Sequence, residues 1–401
     1  MMRFLTAALI ASLTLMFALV PAASAQIAVE ADTVHTATGD APIVDGVVLV
    51  SDGTIEAVGS AADLSVPADY ETITTEVVTP GFVDPRATAG FSGIYNVEDD
   101  QDQLDTSSPL QPHLRAIDGY NPQEELVEFL RQLGVTTLHT GHGPGALMSG
   151  QTGIFKTVGR TVNDAVVDAE TMVALTMGQS VSSQFDVPGT RPKGVAMLRG
   201  KLLEAQQVME NGEIPDDLEM QTLVRILDGE LPALITVHKA HEIQSALRLA
   251  EEFDFELILD GAAEAHQLID EIAEADVPVI LHPTMIRTGG AAENAAFDTA
   301  GKLHEAGISF AIQSGYEAYV PKTRVVHYEA AIAMAHGLPR DAALQSITRD
   351  AAEIIGVDDQ VGTIEEGKDA DLALFEGDPF EYVTRTCTVI VGGEVVSDEC
   401  L

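Results

Sequence analysis

Six side chains have the type and the placement to do chemistry. His139 and His142 lie in LHTGHGPG, His238 in TVHKAH, His282 in ILHPT, Lys156 in GIFKTVG and Ser314 in AIQSG. A neutral imidazole can ligate a divalent metal or carry a proton near neutral pH. His142, His238 and His282 each follow an apolar run, so three strand ends could aim them into one mouth. Three such nitrogens in close geometry would suffice for a metal. The bland alternative is hydrogen bonding in loops and pocket walls. His241 opens the next polar stretch and reads as a solvated or capping residue. Arg86 and Thr88 stand in TPGFVDPRAT. A guanidinium stays protonated and cannot ligate a cation. It could instead recruit a carboxylate, from a substrate or from an acid of the fold. Thr88 offers only a weak neutral oxygen. The glycine-rich GHGPGALMSGQTG lacks the Lys-Ser/Thr ending of a phosphate loop. No Gly-x-Ser-x-Gly elbow supports a serine nucleophile.

These residues must be positioned by strands. Eight β-like runs are legible, at 77–84, 135–141, 152–158, 172–177, 231–238, 255–261, 277–283 and 308–314. Most are continuous β-branched or leucine-rich runs, as strands buried on both faces require. Helical patterns lie between or after them, at Pro122 to Leu133 behind an Asn121 cap, Val195 to Asn211, Leu218 to Leu227, His241 to Phe253 and Ala263 to Glu274. This alternation predicts an α/β fold, a (β/α)8 TIM-type barrel over 80–355. The gap between the third and fourth runs is short for a helical crossover. The flanking segments 26–79 and 356–401 hold short strands around turns at Asp52-Gly53 and Gly392-Gly393. Neither has enough strands for its own core, so they are expected to form one composite β-sandwich.

Composition narrows the partners. The chain has 401 residues, with 63 Asp and Glu against 21 Lys and Arg, a net charge of −42. Such a surface repels phosphate backbones and anionic membranes. The acids are spread along the chain, and the dense run EDDQDQLD (98–105) lacks the Gly and terminal Glu of a calcium loop. Residues 1–25 read as a signal peptide: Arg3, an apolar run from Phe4 to Val20, and Ala23-Ser24-Ala25 as cleavage site. Cutting after Ala25 predicts a periplasmic or secreted protein; an uncleaved anchor is the other reading. Cys387 and Cys400 flank the last hairpin, as a disulfide or as two free thiols.

Four blocks carry a resemblance: SDGTIEAVG (51–59), TPGFVD (79–84), the long run 350–379 and VIVGGEVV (389–396). On these the chain resembles the amidohydrolase superfamily, in particular imidazolonepropionase-like amidohydrolases. The resemblance implies hydrolysis of amide or cyclic amide bonds by a metal-activated water. It also implies ligands: two histidines after strand 1, a central Lys or acid, histidines after strands 5 and 6, and an Asp after strand 8. This sequence keeps only part of that set. Arg86 and Thr88 replace the first pair, the strand-6 position falls on Gly261, and the strand-8 position falls on Gly315. His238 matches the strand-5 histidine, and Lys156 could be the central lysine. The resemblance thus implies a hydrolase of non-peptide carbon–nitrogen bonds with a divergent metal site. His238 and Lys156 are its candidate catalytic groups, and Arg86, Thr88, His142, His282 and Ser314 are its candidate pocket. No metal ligand set is assigned. The family uses zinc or another divalent metal, and the cofactor here stays open. The alternative is a catalytically silent barrel that binds a small molecule, or that pairs with a second copy or an intact paralogue.

Overall fold

The computed structural model describes residues 26–401 except 96, 98, 99, 213–215, 286–288 and 316–324. The expected leader, 1–25, lies outside the described residues, as do two positions of the acidic run. The strands are β1 (Ile27–Val34), β2 (Ile43–Ser51), β3 (Thr54–Ser60), β4 (Glu71–Pro80), β5 (Phe82–Ala87), β6 (Val135–Gly141), β7 (Met148–Lys156), β8 (Val166–Thr176), β9 (Ala233–Val237), β10 (Leu257–Gly261), β11 (Val279–Leu281), β12 (Phe310–Ile312), β13 (Leu372–Phe375), β14 (Thr386–Val391) and β15 (Glu394–Ser397). The helices are α1 (Glu125–Gln132), α2 (Val162–Ala165), α3 (Gln179–Gln184), α4 (Arg191–Asn211), α5 (Leu218–Leu227), α6 (Ala240–Phe253), α7 (Ile269–Ala275), α8 (Thr299–Glu305), α9 (Val326–Ala335), α10 (Arg340–Gln345) and α11 (Arg349–Ile355).

Strands β5 to β12 form one eight-stranded sheet in sequence order. It curls into a nearly closed α/β barrel. Each of the eight runs read from the sequence overlaps one of its strands, although β5 starts later than its run and β7 and β8 start earlier than theirs. The outward faces pack under the helices through Phe82, Leu138, Val173, Ile235, Leu259 and Leu281. Helix α1 starts later than the sequence suggests. Its cap is Glu124, whose side chain accepts from the Leu126 amide, while Asn121 instead binds the Gln123 amide.

One departure from an all-parallel barrel matters for the site. The link from Gly141 to Met148 is too short for a helical crossover, so β7 returns antiparallel to β6 and is antiparallel to β8 as well. Its C-terminal end therefore lies beside the start of β6, with Lys156 opposite Thr137. The last barrel seam is also unusual. Strands β12 and β5 are bridged by the backbone of Ser346 and Ile347, which accepts from Ile312 and from Val83.

The terminal strands form a single seven-stranded sheet, ordered β15-β14-β13-β4-β1-β2-β3. It is one hydrogen-bonded sheet with an apolar cluster on each face, rather than two separate sheets. The C-terminal β13 pairs with β4, so both chain ends build it. A disulfide joins Cys387 to Cys400 across its last hairpin. Among the described residues, no helix is long and apolar enough to cross a bilayer.

Sheet and barrel are latched by Lys156. Its Nζ lies 2.9 Å from Asp369 and 2.8 Å from Asp371. Burial works against the charged amine, but the two carboxylates outweigh it and hold Lys156 above the usual lysine range. Lys156→Ala should therefore cost stability, because it leaves the buried Asp371 charge without its partner. The expected loss in urea unfolding is about 3 kcal/mol; a loss below about 1 kcal/mol would contradict the latch.

Candidate active site at the barrel mouth

Strand alternation explains how the interior is layered. Val83, Ile154, Met172, Leu234, Ile258, Ile280 and Ala311 make an apolar plug, capped by Ala351, Ala352 and Ile355 of α11. Two residues further along, on β9 and β10 and just past β11 and β12, the same face carries Thr236, Asp260, His282 and Gln313. A polar layer thus sits directly above the plug, at the strand ends where barrel sites form.

Arg86 occupies the centre of this layer and is wholly buried. Its Nε lies 3.8 Å from the Asp260 carboxylate, which is equally buried. Its Nη2 donates to the His142 carbonyl and its Nη1 to that of Ala87. Asp260 accepts in turn from the Thr236 hydroxyl and, at 2.6 Å, from Gln313 Nε2. Of the two carboxylate sources that the sequence leaves open for Arg86, the structure supplies an acid of the barrel.

The neighbouring imidazoles stay uncharged. His139 Nδ1 donates to the Pro85 carbonyl at 2.6 Å, and its Nε2 faces the Thr152 hydroxyl at 2.6 Å. Burial first, and the Arg86 charge second, push His139 down to about 3 and His142 down to about 4. Neither ring adds positive charge beside the guanidinium at neutral pH. Asp84 shows the opposite shift. Burial raises it from 3.8 to about 6, against bonds from the Ser314 hydroxyl, the Ser314 amide and the Arg86 amide, and against the nearby His282. The Ser314 bonds also tie the end of β12 to β5 across the seam.

The structure brings Arg86, His282 and Ser314 into the strand-end region, with His238 immediately after β9. Two expected residues lie elsewhere. Lys156 is not a mouth residue, because antiparallel β7 carries it to the opposite end, onto Asp369 and Asp371. Thr88 turns into its own loop and shares a 2.9 Å hydrogen bond with Ser92. His142 reaches the centre through its backbone carbonyl, and its ring packs near Phe91. Sequence reasoning misses Asp84, Asp260 and Gln313 as site residues. Their signal is a polar residue interrupting an otherwise apolar strand.

Comparison with known proteins places this architecture. Residues 297–396 match the amidohydrolase family. The amidohydrolase tasK of Hapsidospora irregularis is 25% identical over 406 residues, covering 88% of this chain. The chain spans only 40% of that relative's length. The crystal structure of an amidohydrolase from Thermotoga maritima MSB8 superposes with a TM-score of 0.87 at 27% identity, over 93% of this chain and 100% of that one. Together these likenesses support assignment to the amidohydrolase superfamily. More distantly, a zinc-bound adenosine deaminase from Xanthomonas campestris shares the fold, with a TM-score of 0.55 at 15% identity over 95% of each chain.

Within this amidohydrolase barrel, the glycines at the strand ends are filled by their neighbours. A Cβ on Gly261 or Gly315 would come within 2.6 Å of a ring carbon of His238 or His282 respectively. Their φ angles, +82° and +86°, are ones that L side chains rarely adopt. A ligand side chain at either position would collide with the ring beside it. Among the described residues, no three His, Cys, Asp or Glu of the barrel bring ligand atoms within 4.8 Å of one another.

Asp84 offers a pH test. Its pKa is raised on folding, so its contribution to stability is full below 3.8 and is lost as pH rises through about 6. A shift of two units corresponds to about 3 kcal/mol. The amide introduced by Asp84→Asn does not titrate. The stability of the natural protein relative to that variant should therefore fall by about 3 kcal/mol between about pH 3.5 and pH 7 in urea unfolding. A difference that stays flat with pH would contradict this placement of the carboxyl.

Proposed function

We propose that the chain is a hydrolase of non-peptide carbon–nitrogen bonds, amide or cyclic amide, whose barrel mouth works with acid–base side chains. The observation that carries the class is a likeness to amidohydrolases along nearly the whole described chain. Three observations stand against the family's usual metal centre. A buried guanidinium lies where cation ligands are expected, the strand-6 and strand-8 positions are glycines filled by imidazoles, and the barrel's described donors do not converge. The donor set does not fit a paired metal, so no step is assigned to one.

Asp84 is the base this reading favours, in place of Lys156. With a pKa near 6 it is ionised at neutral pH and close enough to neutrality to move protons. It takes a proton from water as the oxygen adds to the carbonyl carbon. The acid then returns the proton to the departing nitrogen. His282 and Ser314 flank it, and His238 lines the same mouth. A periplasmic or secreted location fits the leader-like first 25 residues and the Cys387–Cys400 bridge.

A second reading has its own support. Arg86 already has Asp260 and two carbonyls as partners, which suits a silent barrel that binds a small molecule or accompanies an intact paralogue. Metal content and turnover separate the two. The purified protein should hydrolyse an N-acyl amino acid, a simple carboxamide or a cyclic amide, keep that activity in chelator, and lose it in Asp84→Asn. Stoichiometric zinc or manganese whose removal abolishes turnover would overturn the acid–base reading. Absence of turnover across all three substrate classes would favour the silent barrel.

A further inference from the structure

A cavity of about 450 Å³ opens between α4 and α6, against the strand-end residues Leu147, Met177 and Gly178, and none of Asp84, Arg86, His238, Asp260, His282 and Gln313 lines it. That volume is in the range of small-molecule sites. Helix α6 turns His241, Gln244, Ser245 and Arg248 toward it, spaced as one helical face. Arg191, Val195 and Arg199 face them from α4. Arg199 binds Glu252 through Nε and Nη2, each at 2.7 Å, and so ties the two helices together.

The charge around this cavity runs against the composition. The chain has 63 acids to 21 bases, and most of its described cations lie within 4.0 Å of a carboxylate. Arg248 does not. Among the described residues its polar contact is the Ser245 hydroxyl at 3.0 Å. Arg191 reaches Glu242 only at 4.0 Å. Glu242 also lines the cavity: its Oε2 accepts from the backbone amides of His238 and Lys239, and its Oε1 stands 4.0 Å from Arg191 and 3.9 Å from His241. The deeper walls are apolar: Leu147, Met177, Val181 and Pro188. In a protein of net charge −42, Arg248, with no carboxylate within 4.0 Å among the described residues, and Arg191, at 4.0 Å from Glu242, mark a local positive site beside an apolar cavity in a repelling surface.

We propose that this cleft binds a small molecule with one anionic head group and an apolar body. The head lies between Arg248 and Arg191, and the body packs on Leu147, Met177, Val181 and Pro188. The cleft shares no lining residue with the proposed hydrolytic centre, and its test does not depend on turnover.

The probe is 8-anilinonaphthalene-1-sulfonate, titrated by fluorescence into the folded full chain at neutral pH. Saturable binding should appear, octanoate should displace the probe and octanol should not. Arg248→Gln should weaken binding about tenfold or more, while Arg160→Gln, away from the cleft, should leave it unchanged. Circular dichroism melts of both variants establish that each is folded. Lack of saturable binding, equal displacement by octanol, or unchanged affinity in folded Arg248→Gln and Arg191→Gln variants would each overturn the site.

Discussion

The Arg86–Asp260 pair is the interaction around which the interior is arranged. A guanidinium with no exposed surface needs an anion and several acceptors, and the layer above the apolar plug supplies both. Asp260 is held by Thr236 and Gln313, from strands on either side. His142 gives up its carbonyl. The pair also accounts for the neutral imidazoles, because a charged ring beside Arg86 would add repulsion to the cost of burial. A fixed cation built from the chain thus stands in the region where this superfamily's resemblance leads one to expect a bound one.

The rest of the site adapts to that choice. His238 and His282 lie over glycines whose positive φ leaves room for a ring and none for a second side chain. The seam between β12 and β5 is closed by side chain and loop, through Ser314 on Asp84 and the Ser346–Ile347 backbone, instead of by strand pairing. At the other end, Lys156 ties the barrel to the terminal sheet through Asp369 and Asp371. The two ends of the barrel therefore carry different loads: the buried polar layer above, cohesion of barrel and terminal sheet below.

Much of this is legible in the sequence, and the misses have physical causes. All eight barrel strands show as apolar runs, because burial on both faces demands it. Arg86 stands out, since its charge contradicts that burial. Strand direction does not show. The alternation of residues along β7 is the same whichever way it runs, so reading it as one more parallel strand puts Lys156 at the wrong end; the short link at 141–148 makes it a hairpin. Asp260 and Gln313 are hidden for a related reason. In LILDG and FAIQS a single polar residue looks like the end of a strand, and only the barrel's closure brings these residues to Arg86.

The central claim is that Arg86 and Asp260 are energetically coupled and hold the polar layer together. A double-mutant cycle in urea unfolding, with Arg86→Met, Asp260→Asn and the pair combined, tests it most directly. The account predicts that Arg86→Met costs about 3 kcal/mol or more and that the combined variant loses clearly less than the sum of the two. Single variants of near-natural stability, or losses that simply add, would contradict it.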